Sequence, residues 1–349
     1  MQAAANARGL SLRPHAKTHK SVELARLQIE HGARGICCAK LGEAEVFAEA
    51  GMDDIRLPYP LNPVNAPRVL ALLDHTRLSF IVDHIDIARG WSEALKAAGR
   101  DVDVLVKVDV GFHRCGINPV GEGAVEFVTT VAKMEGLRFR GLLSHAGHAY
   151  GAMSDDQTAG IARAEAGMLN ALAARVRAAG VAVEEISVGA TPTARFSVRE
   201  EGITELRPGN YIYYDRTQVA LGAASWRDCA LTVLARVVTT HAPDRIIFDS
   251  GSKTLTNDLA RGASNPVGFG AVLASLDADE PDETLAIERL SEEHATVRAS
   301  RPSRLKPGDL VRIVPNHSCV VSNLVDQVWI VDGDDLIERM DVSARGRIT

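Results

Sequence analysis

The chain carries a lysine between two histidines where an extended segment is expected to end. Arg13 to Lys20 reads Arg-Pro-His-Ala-Lys-Thr-His-Lys and follows the short run Leu-Ser-Leu. Pro14 has no backbone N–H and is excluded from a helix interior, so a strand should end near it. Lys17 would then lie at a strand-to-helix junction, with His15 and His19 on the same side if the backbone stays extended. A lysine amine in that position can form a Schiff base with a carbonyl cofactor.

Glycines and polar residues follow two later apolar runs, Gly189-Ala-Thr191 and Arg207-Pro-Gly209-Asn210. Gly189 and Gly209 allow another group to approach the backbone closely, and Thr191 offers a hydroxyl, as in a phosphate site. Two ordinary loops with turn glycines explain these residues equally well. Together with a strand-end lysine, however, they favour pyridoxal 5'-phosphate (PLP), an aldehyde that carries a phosphate.

His317-Ser-Cys319 is a candidate metal site. In an extended segment, residues two apart point to the same face, so both side chains could reach one ion. For an isolated pair, chance is the simpler explanation. Two ligands are also fewer than the four of a structural zinc site, but a catalytic metal needs open positions. Imidazole with thiolate favours zinc (Zn2+) over magnesium or manganese (Mn2+).

Composition restricts the class of protein. The chain has 349 residues, of which 46% are hydrophobic and 24% charged, as in a globular protein with one large and one smaller domain. A net charge of −6 argues against nucleic-acid binding. No apolar run reaches the roughly 18 residues of a membrane span, and the N-terminus lacks the apolar core of a signal peptide. Five cysteines, an odd number, do not suggest a disulfide framework and predict a cytoplasmic protein.

The first two-thirds of the chain alternate apolar runs with amphipathic stretches. Eight runs are predicted to be buried parallel strands, at residues 10–13, 33–39, 54–59, 77–83, 103–110, 139–146, 184–189 and 203–213. The amphipathic stretches between them include 20–31, 41–50, 85–99, 120–135 and 156–179. This α/β pattern predicts a (β/α)8 TIM barrel over residues 1–219. A doubly wound open sheet is the alternative, but its glycine-rich dinucleotide turn is absent after the first run.

Beyond residue 219 the pattern changes. Short β-branched runs, separated by Gly and Pro, occur at 230–239, 245–248, 296–298, 310–314 and 327–331. These runs predict a smaller β-rich domain over residues 220–349, which would carry the His-x-Cys pair.

Several motifs resemble those of the alanine racemase barrel, the fold-type III PLP enzymes. The segment Lys107 to Gly116 is similar to that family's Lys-x-Asp-x-Gly-x-x-Arg-x-Gly motif, and Arg207-Pro-Gly matches its strand-8 motif. Arg13 to Lys20, Gly209-Asn-Tyr and Pro315-Asn-His-Ser-Cys look like the D-serine dehydratase/D-threonine aldolase branch. The motifs keep their order over nearly the whole chain.

The resemblance implies a role for each motif. Lys17 would be the Schiff-base lysine, and His317 with Cys319 would hold Zn2+, with Mn2+ as the alternative. The implied PLP-binding residues are Arg114, Tyr150, Thr191, Arg207, Gly209 and Asn210. His145 is either a proton carrier beside the cofactor or a packed histidine bonded to the backbone. The family also has an N-terminal strand of the β domain that this sequence does not show; residues 2–9 are expected to be the end of a helix closed by Gly9.

These parts predict a lyase for 3-hydroxy-D-amino acids. Loss of the Cα proton to Lys17 and of the 3-hydroxyl gives a 2-oxo acid and ammonia, as in a D-serine dehydratase. Cleavage of the Cα–Cβ bond gives glycine and an aldehyde, as in a D-threonine aldolase. The resemblance favours the dehydratase, because the better-known aldolases carry Asp where Cys319 stands.

Two further alternatives are an amino-acid racemase and an inactive truncated relative. A racemase of this fold would need a second base, usually a tyrosine of the partner subunit's β domain. Residues 220–349 contain no tyrosine, which argues against a racemase. Analogy at the level of the fold suggests a homodimer.

Overall fold

A computed structural model of the chain describes residues 1–242, 244–262, 266–333 and 335–349. Eight parallel strands lie in the order β1-β8-β7-β6-β5-β4-β3-β2. They are β1 Ser11–Leu12, β2 Ile36–Cys37, β3 Asp54–Pro60, β4 Arg77–Val82, β5 Val102–Lys107, β6 Leu137–Leu143, β7 Glu185–Val188 and β8 Glu205–Leu206. Backbone hydrogen bonds from Arg34 to Leu12 and from Cys37 to Pro14 connect the two outermost strand segments. The sheet therefore closes into a barrel.

Helices surround this sheet, one after each of the first seven strands and one before β1. They are α1 Gln2–Asn6, α2 Val22–Glu30, α3 Leu41–Glu49, α4 Ala66–Leu72, α5 Ile85–Ala97, α6 Gly123–Val131, α7 Asp155–Ala178 and α8 Thr191–Ser197. The predicted α/β barrel is confirmed. The predicted strand 203–213 is wrong beyond Leu206, because Pro208 cannot donate to a ladder and the chain turns into a 3-10 helix at Asn210–Ile212.

Side chains alternate between the two faces of each barrel strand. On β5, Val102, Val104 and Val106 belong to the main hydrophobic core, which the strands share with the helices. Leu105 and Lys107 point the other way, into the barrel. The barrel interior therefore holds both apolar and polar side chains, although each strand appears in the sequence as an apolar run.

Buried ion pairs occupy the amino-terminal end of the barrel interior. Glu205 accepts a hydrogen bond from Arg13 Nε at 2.9 Å and another from Arg56. Arg56 also donates to Glu185 Oε2 at 2.7 Å, and Arg13 pairs with Asp54. Burial alone would raise the pKa of Glu205, but the two arginines outweigh it and bring the pKa to about 2. This network connects β1, β3, β7 and β8. The loops that follow β1, β7 and β8 carry predicted site residues.

Beyond the barrel, the described residues form two antiparallel sheets, one with six strands in the order β11-β14-β9-β10-β13-β12 and one that pairs β15 with β16. The strands are β9 Val233–Ala242, β10 Arg245–Phe248, β11 Ala271–Leu273, β12 Leu285–Leu290, β13 Ala295–Ala299, β14 Leu310–Val314, β15 Gln327–Asp332 and β16 Asp335–Asp341. The short helices are α9 Arg216–Ala220, α10 Ser252–Leu255 and α11 Ser318–Ser322. This confirms a β-rich second part of the chain. Helix α9 includes residues 219 and 220, between which the domain boundary was predicted. That boundary stays a prediction. Among the described helices, none combines the length and hydrophobicity needed to span a membrane.

Candidate active site

Loops from both parts of the chain line one cavity of about 650 Å³. The barrel contributes the loops that follow the carboxyl ends of its strands, where sites form in this fold. The β-rich part contributes residues 257–259, 261, 317 and 319. All ten residues selected from the sequence line this cavity: Lys17, Arg114, His145, Tyr150, Thr191, Arg207, Gly209, Asn210, His317 and Cys319. The structure thus brings them together, while their individual roles stay predictions.

Lys17 lies in a 3-10 turn, Ala16–Thr18, with its side chain at the cavity. His15 precedes the turn, lines the cavity and accepts a hydrogen bond from the backbone of Lys17 at 3.4 Å. The expectation that His19 lies beside Lys17 is wrong, because the turn replaces the extended backbone. His19 is buried and accepts from the Ser21 backbone N–H at 3.1 Å, and burial lowers its pKa to about 4.

Two buried basic side chains, Arg207 and Lys107, line the cavity. Arg207 donates to Ser187 Oγ at 2.7 Å and to the Ser144 carbonyl, two neutral acceptors, while the carboxylates of Glu205 and Glu165 act on its charge only through space. Burial lowers the pKa of Arg207. Burial and the nearby Arg207 also lower the pKa of Lys107 to about 7. An anionic ligand would relieve this charge, as the phosphate of PLP could.

His145 is held as a neutral imidazole. Burial, Lys107 and Lys17 keep its pKa well below the usual range for histidine. Its Nδ1 lies 2.9 Å from the Gly189 carbonyl oxygen, which can only accept, so Nδ1 carries the proton. Nε2 is then free of a proton and able to accept one. The contact with the backbone agrees with a packed histidine, and the unprotonated Nε2 agrees with a proton carrier, so both alternatives for His145 remain.

Thr191 and Gly209 fit a phosphate group. The Thr191 hydroxyl is buried yet has no hydrogen-bond partner within the described residues. A Cβ added at Gly209 would lie 2.9 Å from Thr18 Oγ1 and 3.0 Å from His15 Cβ, so only glycine fits there. A buried hydroxyl without a partner, in the same cavity as such a glycine, belongs to the kind of donor set that a bound phosphate completes.

The side chain of Asn210 is already occupied. Its amide nitrogen donates to Asp215 Oδ2 at 2.5 Å, and its oxygen accepts from Ser318 Oγ at 2.8 Å. The Ser318 backbone N–H also donates to Asp215. Asn210 therefore connects the barrel to helix α11, and its backbone and the second N–H of its amide are left for a phosphate.

Arg114 and Tyr150 flank the cavity on the side of the β5 and β6 loops. The guanidinium of Arg114 lies 5.1 Å from the centre of the Phe112 ring, and the arginine is otherwise exposed. Tyr150 lies in the helical turn Gly147–Gly151 after β6 and is half-buried; burial raises the pKa of its phenol. Both positions suit contacts with the ring of PLP, as the resemblance implies.

The segment around His317 and Cys319 is helical rather than extended, so that prediction is wrong. Strand β14 ends at Val314, since Pro315 has no N–H for the ladder, and helix α11 begins at Ser318. His317 is the N-cap residue, and Cys319 lies in the first turn of α11. Both side chains nevertheless line the cavity.

Each of these two side chains has a partner that the sequence did not reveal. Asp258 Oδ2 lies 3.2 Å from His317 Nδ1, and Thr18 Oγ1 lies 3.2 Å from Cys319 Sγ. Burial disfavours a charged His317, but Cys319, Asp215 and Asp258 raise its pKa to about 9. No cluster of three metal-ligating side chains occurs in the described parts of the chain. A metal on the His317–Cys319 pair would therefore keep open positions, as a catalytic ion requires.

The fold and this site define a class of protein. The chain belongs to the alanine racemase N-terminal domain family, whose model matches residues 1–217, and a model of a serine dehydratase domain matches residues 230–331. This family implies PLP as the cofactor, and the cavity residues fit it.

Individual relatives carry two kinds of name. The chain is similar to a D-threonine aldolase of an Arthrobacter species, with 34% identity over 99% of this chain and 88% of that protein. A D-serine dehydratase of Dictyostelium discoideum is 28% identical over 94% of this chain and 88% of that protein. Among solved structures, a cysteine-to-alanine mutant of D-threo-3-hydroxyaspartate dehydratase in the metal-free form has a TM-score of 0.90 and 29% identity, with 97% of this chain and 92% of that chain covered.

Proposed function

We propose that the protein is a PLP- and Zn2+-dependent lyase that converts 3-hydroxy-D-amino acids into 2-oxo acids and ammonia. One observation carries this proposal. Cys319 Sγ lies 3.2 Å from the hydroxyl of Thr18, the residue next to Lys17, and all three line one cavity. A lysine base and a pair of metal donors are therefore within reach of one small substrate.

The cavity residues would hold the cofactor as follows. PLP, when bound, would supply an electron sink that lets a bond at Cα break. Lys17 would attach it covalently, and the Thr191 hydroxyl with the Gly209 backbone would hold its phosphate. Arg207 and Lys107 would place positive charge beneath it. Arg114 and Tyr150 would contact the ring.

The chain's own groups then account for the elimination. Whenever its amine is not bonded to the cofactor, Lys17 would act as a general base for the Cα proton. Zn2+ on His317 and Cys319 would act as a Lewis acid for the 3-hydroxyl. The Cα–H and C3–O bonds would break, and the hydroxyl would leave as water once it has taken up the proton that Lys17 removed from Cα. The released enamine would tautomerise to an imine, which would add water and lose ammonia to give the 2-oxo acid.

Retro-aldol cleavage is the second candidate, supported by the 34% identity with a D-threonine aldolase. This reaction needs a base for the 3-hydroxyl proton. The neutral His145, whose Nε2 can accept a proton, could supply it. Cys319 is what favours the dehydratase, because the resemblance implies an Asp at this position in the better-known aldolases.

Product identification with D-threonine tests the proposal, because this substrate can react in both ways. The purified protein, loaded with PLP and Zn2+, is incubated with D-threonine, and the products are identified by mass spectrometry. We expect 2-oxobutanoate and ammonia. Glycine and acetaldehyde would contradict the dehydratase assignment and support the aldolase. No reaction with D-threonine, D-serine or D-3-hydroxyaspartate would contradict both.

Three expectations from the sequence are carried forward as proposals: a division between domains at residues 219/220, a homodimer and a cytoplasmic location. Limited proteolysis tests the domain division, since cleavage should concentrate near residues 219/220. Sedimentation equilibrium of the holoenzyme tests the homodimer, and a single monomeric species would contradict it.

A further inference from the structure

The contact between Thr18 and Cys319 joins the two halves of the proposed site. The Thr18 side chain is fully buried, and its hydroxyl forms a hydrogen bond with Cys319 Sγ at 3.2 Å. Its surroundings are tight, because the Cβ that Gly209 lacks would come within 2.9 Å of this hydroxyl oxygen. The hydroxyl is therefore held in one place, directed at the sulfur.

We propose that Thr18 is a positioning residue that directs the sulfur of Cys319 toward the metal ion. The proposal rests on the proposed function, since it assumes that Cys319 is a metal ligand. A cysteine that binds a metal is a thiolate, which has no proton to donate. The Thr18 hydroxyl must then be the donor. One lone-pair direction of the sulfur is thereby occupied, and the remaining directions are left for the ion.

The backbone of Thr18 strengthens this assignment. Ser322 Oγ donates to the Thr18 carbonyl oxygen at 2.5 Å, so helix α11 is bonded to the Lys17 turn at two points. One point is the side chain of Thr18 and the other is its backbone. Because Thr18 follows Lys17 directly, the same residue fixes the separation between the cofactor lysine and the metal ligand. Thr18 thus belongs to both halves of the site.

Hydrogen bonds to metal ligands usually matter for affinity. Loss of such an outer partner lowers metal affinity on the order of 10- to 100-fold. A purely structural role for Thr18 would instead affect folding or cofactor binding and leave the metal–sulfur contact unchanged. Metal affinity and the spectrum of the metal–sulfur bond separate these two roles.

The test uses cobalt (Co2+) in place of Zn2+, because a thiolate–cobalt bond produces a charge-transfer absorption. Metal-free, PLP-loaded protein is titrated with Co2+, and both the dissociation constant and this absorption are recorded. Thr18→Val removes the hydroxyl at similar size, and Thr18→Ala removes it with a smaller side chain. Thr18→Ser keeps it. Ser322→Ala is the matched control, since it removes the second bond between the turn and α11 but leaves the hydroxyl–sulfur contact.

We expect the valine and alanine variants to bind Co2+ on the order of 10- to 100-fold more weakly, with a changed charge-transfer absorption. The serine variant and Ser322→Ala should stay within a few-fold of the parent protein. Borohydride reduction should trap PLP on Lys17 in every variant, which shows that the cavity is formed.

Three results would overturn the inference. Wild-type affinity and absorption in both hydroxyl-free variants would show that the hydroxyl does not position the sulfur. Equal losses in Thr18→Ser, or in Ser322→Ala, would assign the effect to packing. Failure of the parent protein itself to show a thiolate–cobalt absorption would contradict the proposed metal site, and this outcome is distinct from the other two.

Discussion

Replacing Glu205 with glutamine should destabilise the barrel by about 3 to 5 kcal/mol, the cost of removing one partner of a buried ion pair. Glu205 is 1% exposed and accepts from Arg13 Nε at 2.9 Å, from Ser187 Oγ at 2.6 Å and from Arg56. Glutamine has no charge to balance the two guanidinium groups, and its amide nitrogen would face their donors. Two buried cations would be left partly uncompensated.

The pKa of Glu205 gives a second, compatible magnitude. It lies at about 2, against an ordinary value of 4.5. At about 1.4 kcal/mol for each tenfold change, this depression corresponds to about 3 kcal/mol. Because the folded state has the lower pKa, this stability is complete above about pH 4.5 and is lost as the pH falls toward about 2. The glutamine variant should lack this part of the acid dependence.

Urea denaturation followed by circular dichroism measures the effect at neutral pH and across the acid range. Glu184→Gln is the matched control, since Glu184 is 50% exposed and pairs with Arg140 at the surface. That surface pair should contribute less than about 1 kcal/mol. Equal stabilities for the two variants, or a loss below about 1 kcal/mol for Glu205→Gln, would refute the assignment of Glu205 to a buried ion network.

Four further changes test the site. Lys17→Ala should abolish borohydride-trapped PLP and turnover while the circular dichroism spectrum stays unchanged; trapped PLP in this variant would contradict the lysine assignment. Thr191→Val should weaken PLP binding on the order of 10- to 100-fold in a fluorescence titration, because a hydrogen bond to a charged group is lost; unchanged affinity would place the phosphate elsewhere. Cys319→Ala should abolish metal-dependent turnover and leave PLP bound, and full activity would remove Cys319 from the metal site. Asp258→Asn should lower metal affinity on the order of tenfold, measured by calorimetry, while an unchanged affinity would show that the histidine needs no carboxylate partner.

The barrel could be predicted because its strands are short apolar runs that alternate with amphipathic helices. The sequence also placed Lys17, Thr191 and Gly209 at strand ends, where barrel loops meet around one cavity. The polar interior was not foreseen. Buried strands appear as continuous apolar runs, and only the structure shows that Arg56 and Glu205 meet inside the barrel.

The failures have local and long-range causes. The predicted position of His19 is wrong because a 3-10 turn replaces the extended backbone. The extended conformation predicted for His317–Cys319 is wrong because a helix begins after Pro315. The partner of Cys319 could not be found from the sequence, since Thr18 lies 301 residues away. Contacts of this kind depend on how the two parts of the chain pack, and no local pattern encodes that packing.

The most direct test of the central claim is the metal dependence of D-serine turnover in the PLP-loaded protein. The protein is treated with a chelator, dialysed and assayed for pyruvate before and after Zn2+ is added back. We predict that activity disappears with the chelator and returns with Zn2+. His317→Ala should show no return, although borohydride still traps PLP on Lys17. Pyruvate formation that continues in metal-free protein would contradict a site that combines the lysine with a metal pair.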